Sequence, residues 1–155
     1  MKYDSLNIQK LFLKSFDKYI EKGYVKVLTE VNFYDSKDLD SIRIQLKNEK
    51  INREFSFRFQ TYNGYDKAFI AELVWFSIDK EGCDNRLRIN DYWRRIKGDD
   101  NHIPFSLKSI ENSNTLEMRL LDYFDIIKMT LDKELKSVVD GNEWIDLPFD
   151  FYPYK

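Results

Sequence analysis

The chain has 155 residues, of which 43% are hydrophobic, 34% charged and 16% aromatic, with a formal net charge of −2. These values exclude a disordered chain and fit one domain with its own ring-rich core, and the slight acidity argues against bulk attraction to nucleic acid or anionic lipid. Cys83 is the single cysteine, no apolar leader opens the chain and no run of about 18 apolar residues occurs, so the expected setting is the cytoplasm, off the membrane and without disulfides.

Ser5 is the expected cap of a first helix in which Ile8, Leu11, Phe12, Phe16, Tyr19 and Ile20 recur at helical spacing as one buried stripe, with Gly23 just past its end. Gln9, Lys10, Lys14, Asp17 and Lys18 form its wet face. Residues 24–34 read as a strand, with Val25, Val27, Thr29, Val31 and Phe33 on one side and Lys26, Leu28, Glu30 and Asn32 on the other. After a polar loop, Ile42, Ile44 and Leu46 alternate with Arg43, Gln45 and Lys47 as the next strand.

The stretch from Arg53 to Asp79 is the most explicit. Phe55, Phe57 and Phe59 alternate with Ser56, Arg58 and Gln60, and Asn63-Gly64 between Tyr62 and Tyr65 suits a two-residue type I′ turn. That turn pairs Tyr62 with Tyr65 and places Glu72 opposite Phe55, a carboxylate on an aromatic face. Because Glu is rarely fully buried, a bulge near Ala71-Glu72 or an exposed position is expected rather than a buried functional acid. The strand from Asp66 to Ile78 is apolar on both sides, which suits a central place in the sheet. Its second face carries Phe69, Leu73 and Trp75 beside Arg58.

Beyond the turn at residues 80–85, a strand to about Ile89 leads into one helical turn capped by Asn90 and ended by Gly98. Phe105 to Ile110 can add a last short strand. A long helix then follows, about seven turns by its spacing, with Asn114 as N-cap, Glu117 at its third position and Gly141 after the end. Leu116, Leu120, Phe124, Ile127, Leu131, Leu135 and Val138 form its stripe. The tail from Trp144 to Lys155 is too aromatic to stand in water and too rich in proline for a helix, so it is expected to dock as a strap. With both helices on the Phe55 side, Trp144, Phe149, Phe151 and Tyr152 are expected over part of the second face.

Catalytic chemistry leaves little trace. Cys83 and His102 stand apart, Asp99, Asp100 and His102 read as turn chemistry rather than a metal site, and with only 5 glycines no phosphate-cradling loop is present. No cofactor or metal is therefore expected. The densest basic and aromatic cluster is Arg86, Arg88, Tyr92, Arg94 and Arg95, which with Trp75 makes the candidate partner surface. Its plainer reading is a solvated strand face with ion pairs to neighbouring acids.

The expected architecture is α+β: an N-terminal helix, an antiparallel meander of five or six strands, a long C-terminal helix and a docked aromatic tail, as monomer or homodimer. The expected function is a non-enzymatic binding protein with a protein partner. An inhibitor of the kind that bacterial immunity proteins exemplify, acting on a toxin or effector, is its most concrete form, by analogy of composition alone. The alternative is a small enzyme or ligand-binding domain with a pocket between curved sheet and helix, lined by Glu72, Tyr123 and Trp75.

Overall fold

The computed structural model describes residues 3–33, 39–63, 70–83, 86–98 and 115–146. Helices α1 (Ser5–Ser15) and α2 (Asp17–Glu21) precede five strands: β1 (Val25–Phe33), β2 (Leu39–Asn48), β3 (Arg53–Asn63), β4 (Ile70–Asp79) and β5 (Leu87–Arg88). A short α3 (Ile89–Tyr92) continues as a π-helical turn over Trp93–Lys97, and α4 (Leu116–Lys133) and α5 (Lys136–Val139) follow. The strands lie in sequence order, each antiparallel to the next, in one open sheet. The fold is thus α+β, with five strands observed; the stretch from Phe105 to Ile110 lies outside the described residues.

The central hairpin keeps its faces and changes its register. Phe55, Phe57 and Phe59 oppose Ile78, Phe76 and Val74, and Tyr62 faces Ala71 rather than Tyr65. Asn63 pairs with Ile70, a register that the expected Asn63-Gly64 turn would not give, and residues 64–69 lie outside the described residues. The displacement is even, so the three rings keep their face, and Glu72 stays on that face without the expected bulge. The observed register gives all three rings an apolar partner, Phe55 included, and this outweighs the local preference of one Asn-Gly step.

The helices cover the face carrying these rings. Phe12 stacks on Phe57 at 4.9 Å, Phe124 meets Phe57 edge-on at 5.1 Å, and Phe16 packs on Phe76 at 5.5 Å. Each such pair adds about 0.5–1.5 kcal/mol beyond the area it buries. Both helices depart from their expected caps and continuity. Asp4, not Ser5, caps α1, its Oδ1 accepting from the backbone of Leu6 and Asn7, and α1 breaks at Phe16. Thr115 caps α4, its hydroxyl accepting from the Met118 amide. The seven-turn helix is in fact two, because the amides of Glu134 and Leu135 both donate to the Thr130 carbonyl.

The sheet supplies the caps that α5 lacks. Arg53, 4% exposed, donates to the carbonyls of Val138 and Glu143 at 2.8 Å each, and the Tyr24 hydroxyl donates to Val139 at 2.6 Å. These bonds hold carbonyls at and just beyond the end of α5, where helix carbonyls run short of intrahelical partners. The Arg53 guanidinium also lies 5.1 Å from the Trp144 ring. Arg53 shares its face with Phe55, so Trp144 docks on the helix side of the sheet and not over the opposite face. Phe149, Phe151 and Tyr152 lie outside the described residues.

On β1 a bulge at Val27 interrupts the alternation, and Val25, Val27 and Phe33 are each more than half exposed. Bulged, charged edges of this kind discourage pairing with other chains. No helix among the described residues is long and apolar enough to cross a membrane.

Candidate functional site

The described helices take one face of the sheet, and the other carries most of its polar and charged side chains. Strand register arranges that outer face in rows: Glu30, Arg43, Arg58 and Trp75 across β1 to β4; Leu28, Gln45, Ser56, Ser77 and Arg88 across β1 to β5; and Lys47, Glu54 and Asp79 across β2 to β4. Ser56 and Ser77 are buried although they face outward.

Trp75 is half-buried, and the exposed Arg58 lays its guanidinium over the indole at 5.4 Å from the ring centre. Arg58 makes no ion pair with any described carboxylate. Arg86, exposed, reaches Asp79 at 3.4 Å. Burial pushes the Asp79 carboxyl above its ordinary value, while Arg86, Arg43 and Arg88 pull the other way. Glu54, its cross-strand neighbour, is also pushed up, first by burial and then by the Asp79 charge. The face thus carries two adjoining acids ringed by cations, and one arginine set apart on an indole.

The proposed partner residues are divided by the fold. Trp75, Arg86 and Arg88 share the outer side. Tyr92 is only 5% exposed and belongs to the core, so it is not presented with them. Arg94 and Arg95 are half-buried on the π-helical turn, whose Trp93 is buried with its indole donating to the Thr130 hydroxyl at 3.0 Å. Arg58 and Arg43 complete the surface. Strand alternation was the signal that could find them, since both sit out of phase with the apolar residues of their strands.

Glu72 and Tyr123 are both fully buried. Glu72 is fully buried on the ring-bearing face, where Arg119 of α4 donates to one of its oxygens from Nε at 3.1 Å and Nη2 at 2.7 Å. Tyr3 donates to the other at 3.1 Å. The outward or bulged Glu72 is therefore overturned: a buried carboxylate is tolerable once a cation and a hydroxyl satisfy both oxygens. Tyr123, four residues on from Arg119, is wholly buried, and burial pushes its hydroxyl well above the ordinary tyrosine value. A cleft of about 170 Å³ does open between α1 and α4, lined by Tyr3, Asn7, Leu11, Leu116 and Glu117 among others, but neither Glu72 nor Tyr123 lines it. Ligand pockets usually run to about 300–1,000 Å³. Among the described residues no group of three or more His, Cys, Asp or Glu is placed to hold a metal. Asp99, Asp100 and His102 lie outside those residues.

No family model matches the chain, and no curated protein or solved structure is detectably similar to it.

Proposed function

We propose that this chain is a non-enzymatic protein-binding module that uses the sheet face turned away from its helices, most concretely as an inhibitor or immunity-type protein that neutralises a partner such as a toxin. The observation that carries this reading is the Arg58–Trp75 pair, an exposed guanidinium over a half-buried indole on a face that no described helix covers. Arginine and tryptophan are the side chains that most often dominate binding energy at protein interfaces. Glu72, the carboxylate an enzyme pocket would have needed, is instead consumed by Arg119 and Tyr3. A cytoplasmic setting belongs to the same reading and rests on the lone, exposed Cys83.

The test is affinity capture from the native host with the full chain, comparing wild type with Trp75→Ala and Arg88→Glu. A stoichiometric protein retained by wild type and lost by Trp75→Ala at unchanged melting temperature is the expected result. Reproducible absence of any such protein overturns the reading.

A further inference from the structure

On the outer face Arg43 and Arg58 stand directly opposite each other on neighbouring strands, and Trp75 stands opposite Arg58 on the far side. Like charges in direct cross-strand register destabilise a sheet; Arg43 is offset by Glu30 beside it and by the Asp79 and Glu54 charges. The nearby acids do not relieve it at Arg58. Asp79 is bridged to Arg86, and Glu54 adjoins Asp79 and Lys47. The Arg58 guanidinium carbon lies 5.4 Å from the Trp75 ring centre and pairs with no described carboxylate, and a guanidinium can receive a carboxylate through two parallel hydrogen bonds. The indole beside it offers an apolar surface to whatever flanks that carboxylate.

Resting on the binding function proposed above, we infer that the partner presents an acidic protein segment to this face, with an Asp or Glu side chain seated on Arg58 between Arg43 and Trp75 and an apolar side chain against the indole. Nucleic acid is disfavoured by the same rows. Glu30 flanks Arg43 in one row, and Glu54 and Asp79 share the next-but-one, so a backbone of uniform negative charge meets repulsion on both sides of the arginines. A protein segment can alternate its charges to match.

The experiment titrates the ¹⁵N-labelled full chain with three probes: a peptide alternating Glu and Leu, its Gln–Leu counterpart, and oligothymidylate. The expected result is saturable movement of the Trp75 indole and Arg58 Nε–H signals with the Glu peptide, at least about tenfold weaker with the Gln peptide and in Arg58→Gln, with Arg58→Lys between. Arg58→Gln is expected to melt no lower than wild type, because it removes the opposed charge. Equal response to both peptides, no response to either, or tighter binding of oligothymidylate overturns the inference. If a captured partner binds Arg58→Gln as well as wild type but is lost by Trp75→Ala, the acidic-segment assignment fails while the binding function stands; if no partner is captured, the functional reading itself fails.

Discussion

Two N–H groups of Arg119 converge on a single oxygen of Glu72, at 3.1 and 2.7 Å, inside a carboxylate with no solvent exposure. The pair ties α4 to β4, and Tyr3 adds the segment before α1. Removing one partner leaves an uncompensated buried charge, so Arg119→Ala is expected to cost about 3–5 kcal/mol, whereas Glu72→Leu combined with Arg119→Met costs much less. Urea unfolding of the two single variants and the double variant measures the difference; equal losses would show that the ion pair itself is not what matters. Tyr3→Phe should cost about 1.5–3 kcal/mol, the worth of one hydrogen bond to a charged group.

Gly141 has φ +84°, and a Cβ built there falls 2.6 Å from the Ile51 Cβ. Gly141→Ala therefore combines left-handed backbone strain with a collision against the turn between β2 and β3. A loss of about 2 kcal/mol or more is expected by thermal or denaturant unfolding. Gly82, φ +90° with nothing near its missing Cβ, is the control and should lose only the strain component.

The pH dependence has opposing contributors. Glu54 is raised in the folded state, so the fold binds its proton more readily than the unfolded chain, and this group adds stability as pH falls from neutral through its raised value. Glu54→Gln should accordingly be more stable than wild type near neutrality, with the gap closing in acid. Burial pushes Asp132 up too, but hydrogen bonds from Lys18 and Tyr19 outweigh it and hold the carboxyl below its ordinary value. Its contribution is present above the ordinary carboxylate range and lost as pH falls through the lowered value. Asp132→Asn should then cost no more than about 1 kcal/mol near neutrality, given its exposure, and nothing in strong acid. Parallel stability curves against pH for these variants and wild type would contradict both assignments.

Trp144→Ala removes the ring beneath the Arg53 guanidinium, which itself holds the carbonyls of Val138 and Glu143. The expected loss is about 1–2 kcal/mol, part stacking and part lost apolar contact. A melting temperature equal to wild type would show that the chain beyond α5 is not docked through this residue.

Alternation in Phe55–Phe59, Ile42–Leu46 and the stripe from Leu120 to Val138 made the faces of the sheet and the buried side of α4 readable, because periodicity reports burial directly. Register was not readable in the same way. The Asn-Gly step at residues 63–64 carried a strong local signal, yet Phe55, Phe57 and Phe59 found better apolar partners in Ile78, Phe76 and Val74. Glu72 was misread for a related reason: its partners, Arg119 and Tyr3, lie far from it along the chain, and no local pattern announces an ion pair closed by tertiary packing. Tyr92 looked like surface among its arginines because a short helical turn does not betray which side it buries. Arg58 and Arg43 were placed on the right face by phase alone, but that they oppose one another depends on the register between β2 and β3.

The strands follow one another in order, whereas α4, which with α1 shields their rings, comes only after them, from residues 116–133. During synthesis the meander can therefore pair while Phe57 and Phe76 still have only the first helix above them, since Phe124 has yet to emerge. A nascent chain stopped before residue 116 would display half of an aromatic interior and lack the arginine that neutralises Glu72. Such an intermediate is the natural client of a chaperone that binds exposed rings, and the yield of folded protein should respond to translation speed across residues 80–115 more than to any change within the sheet itself.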